Sequence, residues 1–170
     1  LKKEIEDFSN VLPLLQELAK DNPTDTRPQL LISSMLGKSG DRDSAIVAAR
    51  SAVAIDPEQP PTRLRLAELL IDSGFSSGPL GHVTEGRGLA ESVLEDVPDH
   101  PGALMLLSKV ALSEDRIDDA VVNLRAAVVS APNFARAHYR LGAALVIQGK
   151  KRAGRQALLR SLQIEPGQLD

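Results

Sequence analysis

SAPNFARAHYRLGAALVIQG, residues 130–149, places Pro132 and Gly149 seventeen residues apart, with helix-forming and mostly apolar residues between them. The same offset separates Pro23 from Gly40 and Pro57 from Gly74, while Pro98 meets Asp115 at that distance. A second spacing runs alongside it: Pro23, Pro57, Pro98, Pro132 and Pro166 are separated by 34, 41, 34 and 34 residues. Self-similarity at a fixed period of about 20 to 50 residues indicates a repeat architecture, built from stacked copies of one supersecondary unit.

The composition agrees with helices. Of 170 residues, 42% are hydrophobic and only 2% aromatic, so the core must be built from Leu, Val, Ile and Ala. Such side chains suit closely packed helices, and strands are not expected. The chain contains no cysteine, which removes disulfides, thiol nucleophiles and cysteine metal sites but leaves the compartment open. No apolar run approaches the roughly 18 to 20 residues of a membrane span, and no signal-peptide pattern is present.

Four full units can be written, 26–59, 60–100, 101–134 and 135–168, preceded by a partial unit over 1–25. In the last unit His138, Leu141, Gly142 and Leu145 fall at i, i+3, i+4 and i+7, one face of a helix that Gly149 should end. A second helix carries Gly154, Leu158, Ser161 and Leu162 and should stop before Pro166, because proline disfavours helical geometry in the residue before it. Read back from Pro23, EIEDFSNVLPLLQELAKDNP aligns with KSGDRDSAIVAARSAVAIDP, so Leu1 falls near the end of a first helix, and the chain stops where a further unit would begin. The expectation is one repeat domain that is a fragment of a longer protein.

This pattern resembles the tetratricopeptide repeat, 34 residues with W-x2-L-G-x2-Y, then A-x3-F, then P. The first-half positions read Gln29, Ile32, Ser33, Leu36; Arg63, Leu66, Ala67, Leu70; Leu104, Leu107, Ser108, Ala111; and His138, Leu141, Gly142, Leu145. Ala45 and Ala49, Ala120 and Leu124, and Gly154 and Leu158 take the A-x3-F places, with Ala52, Ala127 and Ser161 as the small residue of the second helix. The resemblance implies an all-α, right-handed α-solenoid of helix-turn-helix repeats.

The unit 60–100 has seven extra residues, placed within SGFSSGPLGHVTEGRG (73–88), and the expectation is a lengthened turn between its helices. GHVTEGRG offers two glycines at phosphate-loop spacing, but Arg87 and Gly88 follow Gly86 where Lys and Ser or Thr are needed. His82, His100 and His138 lack a His, Asp or Glu partner at i+4, and no nucleophile elbow or H-E-x-x-H is present. Glu114, Asp115, Asp118 and Asp119 flank a turn, where acidic residues are expected to cap a helix and offset its dipole. The sequence therefore predicts no catalytic residues, no metal, no cofactor and no enzyme.

Charge is unevenly spread. Residues 135–168 hold seven Lys or Arg against Glu165 alone, +6, and with Asp170 contributing −1 the net −3 leaves −8 for residues 1–134. With Tyr139 as the single aromatic in that basic segment, and an acidic remainder, nucleic acid is not the expected partner. The two charged ends are compatible with a monomer or with weak head-to-tail self-association.

On each first helix a stripe beside the packing positions is left over: Leu30, Ser34, Lys38; Leu64, Glu68, Asp72; Met105, Lys109, Leu112; Tyr139, Ala143, Ile147. In the family this stripe lines the concave groove that receives an extended peptide or a helix. The resemblance thus implies an interaction scaffold whose candidate partner-binding residues are these, with Arg65, Arg136 and Arg140 around them, and whose partner is acidic or amphipathic. Leu30 and Ser34 stand where chaperone-tail binders of the family carry Lys and Asn, which argues against that ligand. The alternative is an accessory repeat region of a larger enzyme, such as a glycosyltransferase, with its catalytic domain elsewhere.

Overall fold

The computed structural model describes residues 2–76, 78–79 and 81–166, with side chains from Asn10 onward. Leu1 of the predicted partial unit, Ser77 and Leu80 of the insertion, Gly167 and Gln168 of the last unit, and residues 169–170 beyond it lie outside the described residues. Among the described residues there are nine α-helices and no strand: α1 (Lys2–Asp21), α2 (Thr26–Ser39), α3 (Arg42–Ile55), α4 (Pro60–Ser76), α5 (Gly81–Asp96), α6 (Pro101–Ser113), α7 (Ile117–Ser130), α8 (Ala135–Ile147) and α9 (Lys151–Ile164).

Local signals set the helix ends. Asp25 and Asp41 cap α2 and α3 by accepting from the Arg27 and Ser44 amides, and Gly40 closes α2 at φ 90. Gly149 ends α8 at φ 85, and Asp115, at the same place in its unit, takes φ 58. Around Asp115 the Arg116 amide bonds the Ala111 carbonyl at 2.8 Å, and around Gly149 the Lys150 amide bonds Leu145 at 2.8 Å, the same turn closed by different residues. Second helices stop where the prolines dictate: Asp56, Ala131 and Glu165 leave helical geometry directly before Pro57, Pro132 and Pro166.

The insertion is resolved differently from the expectation of a longer turn. Relative to α2 and α3, α4 runs three residues further and α5 starts two residues earlier, so the turn itself lengthens by only two residues. Gly74 is therefore inside α4 rather than at its end. A Cβ there would lie 2.5 Å from Val83 Cγ2, and one on Gly86 would lie 2.8 Å from the Ala67 carbonyl oxygen. Both glycines admit close approach of α4 and α5, which gives Gly86 a packing role on a helix and not a place in a phosphate loop.

The chain divides into two compact units, 1–89 and 90–170. In the first, α1 packs on α2, α2 on α3 and α3 on α4. Its core joins Ala45, Ile46 and Ala49 to Leu66, Leu69 and Leu70, with Leu36, Val53 and Leu89 against them. In the second, α6 packs on α7, α7 on α8 and α8 on α9. Leu104, Met105, Val121, Leu124, Ala137, Leu141, Leu145 and Ala157 form its core. Full burial of a leucine such as Leu70 or Leu124 stabilises by about 2 kcal/mol. The small positions Ala52, Ala127 and Ser161 are all buried, and Ser161 Oγ satisfies itself by donating to the Ala135 carbonyl at 2.9 Å.

Candidate functional site

In the first unit, α2 presents Leu30 and Ser34 half-buried and Lys38 exposed, and α4 presents Leu64, Arg65, Glu68 and Asp72, all half-buried. Arg65 is committed within the unit. Its guanidinium donates to Ser33 Oγ at 3.0 Å, to the Ser33 carbonyl at 2.8 Å and to Glu68 at 2.9 Å. It lies over Gly37, where a Cβ would fall 2.6 Å from Nη2. Arg65 and Glu68 thus tie α4 to α2, a role sequence spacing did not separate from partner binding.

In the second unit, α6 supplies Met105, Lys109 and Leu112. Met105 is 8% exposed and belongs to the core, and Leu112 packs against that core, so the face offered by α6 is smaller than the leftover stripe suggested. On α8, Arg136 and Tyr139 are exposed and Arg140 and Ala143 half-buried, with Tyr139 retaining 49% of its surface. Ile147 continues this apolar face and is itself exposed. Neither Arg136 nor Arg140 forms an ion pair with another described residue, whereas Arg27, Arg50, Arg65 and Arg116 each hold a carboxylate.

The other polar groups have local tasks. Arg50 grips Glu85 through two bonds of 2.6 and 2.8 Å, and that hydrogen bonding holds the Glu85 carboxyl below its usual range. Arg116 is clasped by Glu114 and Asp119, whose hydrogen bonds raise its pKa. The expected acidic cap of α7 is not formed: Arg116 is the N-cap and no side chain caps it, while Asp118 and Asp119 sit in the first turn, where they offset the dipole. Asp118 also accepts a hydrogen bond from Gln148.

The three histidines are dispersed. His138 donates from Nε2 to the Pro132 carbonyl at 2.9 Å, His100 caps α6 by accepting from the Gly102 and Ala103 amides, and His82 Nδ1 lies 3.1 Å from Ser73 Oγ. Among the described residues no three His, Cys, Asp or Glu side chains gather into a group able to hold a metal, and no helix is long and apolar enough to cross a membrane.

Sequence reasoning centred on first helices passed over a cleft of about 680 Å³ between α1, α2 and α3. Ile32, Leu36 and Ala48 lie among its apolar lining, and Gln16, Lys20 and Asp43 among its polar lining. No periodicity marks it, because its residues come from three helices.

Antiparallel helix pairs joined by short turns, with exposed apolar and basic residues on first-helix faces, define an α-solenoid of helix-turn-helix repeats. Residues 107–168 match the model of the family described as Tetratricopeptide repeat. Residues 107–168 therefore carry the tetratricopeptide repeat, and the rest of the described chain shares the all-α fold of such proteins. The fold of the chain is similar to the crystal structure of TTC0263, a thermophilic TPR protein in Thermus thermophilus, at 16% identity and a TM-score of 0.83 over 98% of this chain and 87% of that one. It is also similar to MamA, residues 41 to the end, from Desulfovibrio magneticus RS-1, at 17% identity and a TM-score of 0.67 over 96% of this chain and 88% of that one. A third similar structure is the APC/C hetero-tetramer Cut9–Hcn1, at 16% identity and a TM-score of 0.81 over 95% of this chain and 31% of that one. No curated protein sequence matches the chain.

Proposed function

We propose that this protein is a scaffold that holds an acidic, apolar segment of a partner protein on the exposed faces of its first helices. Tetratricopeptide repeat proteins are in general protein–protein interaction scaffolds. The observation that carries the reading lies on α8, where an exposed tyrosine ring stands between two arginines without carboxylate partners among the described residues. Arg136, Tyr139, Arg140 and Ala143 share one helical face at i, i+3, i+4 and i+7. A ring flanked by free guanidiniums suits an apolar side chain bracketed by carboxylates, because the ring supplies rigid contact area and the arginines bidentate hydrogen bonds. Lys109 and Leu112 on α6 extend the candidate surface in this unit, and Leu30, Ser34, Lys38 and Leu64 form the corresponding surface of the first. Met105 and Arg65 support these faces from within. Cut9–Hcn1, a hetero-tetramer of similar fold, lends the reading an example of such repeats within an assembly.

The test is capture from native lysate by the intact chain in parallel with its Tyr139→Ala, Arg140→Glu variant, with helicity of both checked by circular dichroism. A partner retained by the first and lost by the folded second is the expected result. Equal retention by both removes the α8 face from the binding surface.

A further inference from the structure

Outside these faces, two helices expose apolar residues in a regular register. On α1, Val11, Leu14 and Leu18 are 40%, 63% and 48% exposed. Thirty-four residues on, the same positions of α3 are Ala45, Ala48 and Ala52, all buried. The stripe on α1 therefore occupies packing positions of the repeat, filled with larger side chains and uncovered among the described residues. Such a contiguous apolar row on a surface indicates a contact. Glu17 and Asp21 run along its edge, both exposed and neither in an ion pair with another described residue.

On α9 the side opposite buried Gly154, Ala157 and Ser161 presents Arg152, Arg155, Leu159 and Leu162, all exposed. Neither arginine has an ion-pair partner among the described residues. The first turn of α9 holds no acidic residue, Lys150 stands at its N-cap, and no side-chain cap forms. Cations at the positive end of a helix dipole are unfavourably placed, and an incoming carboxylate relieves them.

The two faces match when laid antiparallel. Asp21, Glu17, Leu14 and Val11 descend α1 over ten residues, and Arg152, Arg155, Leu159 and Leu162 descend α9 over ten residues, about 15 Å in each case. Asp21 then meets Arg152, Glu17 meets Arg155, Leu14 meets Leu159 and Val11 meets Leu162, while Leu18 packs along the aliphatic stem of Arg155. We propose that the α1 face of one copy of this chain docks the α9 face of a second copy through this register. The overall charge asymmetry, −8 over residues 1–134 against +6 over 135–168, steers the same encounter. Because the two faces differ, the contact is heterologous and propagates into open chains or closed rings.

Sedimentation velocity on the intact protein over a range of concentrations, at about 50 mM and about 500 mM salt, tests this. The expected result is concentration-dependent association that weakens at high salt. Glu17→Arg with Asp21→Arg, and separately Arg152→Glu with Arg155→Glu, should each weaken association at least about tenfold, because each sets like charges face to face. All four positions are exposed, so both variants should stay helical. Mixing the two restores association, since each variant then meets a complementary face at both ends. A protein that stays monomeric throughout overturns the proposal. So does association that survives both charge reversals, or that is lost with Tyr139→Ala instead, which assigns self-contact to the α8 face; failure of the mixture to recover overturns the register.

Discussion

Gly142 of α8 and Gly154 of α9 face each other so closely that a Cβ on either would meet the other's backbone carbonyl. The distances are 2.9 Å from Gly142 to the Gly154 oxygen and 2.8 Å from Gly154 to the Gly142 oxygen. A methyl group on Gly142 would also lie 2.6 Å from Leu158 Cγ, and one on Gly154 would lie 2.7 Å from Val146 Cγ2. Alanine is the better helix former by about 1 kcal/mol, but the overlap with backbone outweighs that gain. Gly154→Ala is expected to lower stability by roughly 1 to 3 kcal/mol in urea unfolding. Adding Gly142→Ala should cost less than the sum of the single changes, since either alone forces the helices apart.

Asp115 holds the left-handed turn geometry that Gly40 and Gly149 hold in their units. A side chain there carries steric strain that glycine lacks, partly offset by glycine's greater freedom in the unfolded chain. Asp115→Gly is expected to raise stability by roughly 0.5 to 1 kcal/mol, read as a higher midpoint of thermal unfolding. A lower midpoint would show that the carboxylate contributes more than the strain removes.

Glu85 gives a dependence on pH. The Arg50 hydrogen bonds lower its pKa from the ordinary 4.5, so its stabilising contribution is fully present above that value and is lost as pH falls through the lowered folded-state pKa. Both partners are well exposed, and the contribution is therefore at most about 1 kcal/mol. Glu85→Gln should reduce stability near neutral pH and flatten the acid limb of the stability curve relative to the unmodified protein. An unchanged acid limb would assign the loss to other carboxylates.

The repeat was legible in the sequence because its signals are local. Pro57, Pro132 and Pro166 end the second helices they follow, and small residues recur where helices cross. The same logic misread the unit 60–100: glycine at the expected offset does not end α4, because Val83 and Ala67 bring a neighbouring helix against Gly74 and Gly86 and the extra residues continue the helices. Periodicity likewise grouped Met105 with Tyr139, and only packing distinguishes a core methionine from an exposed ring.

The sequence by itself determined the helical class and the helix-ending prolines, since each depends on backbone preferences within a few residues. Tertiary structure decided which leftover residues remain available. Arg65 is spent on Ser33 and Glu68 while Arg140 is free among the described residues, and the stripe on α1 is open while its counterpart on α3 is buried. Burial and ion pairing depend on which helix lies alongside, and a one-dimensional period carries the spacing of side chains but not the identity of their neighbours.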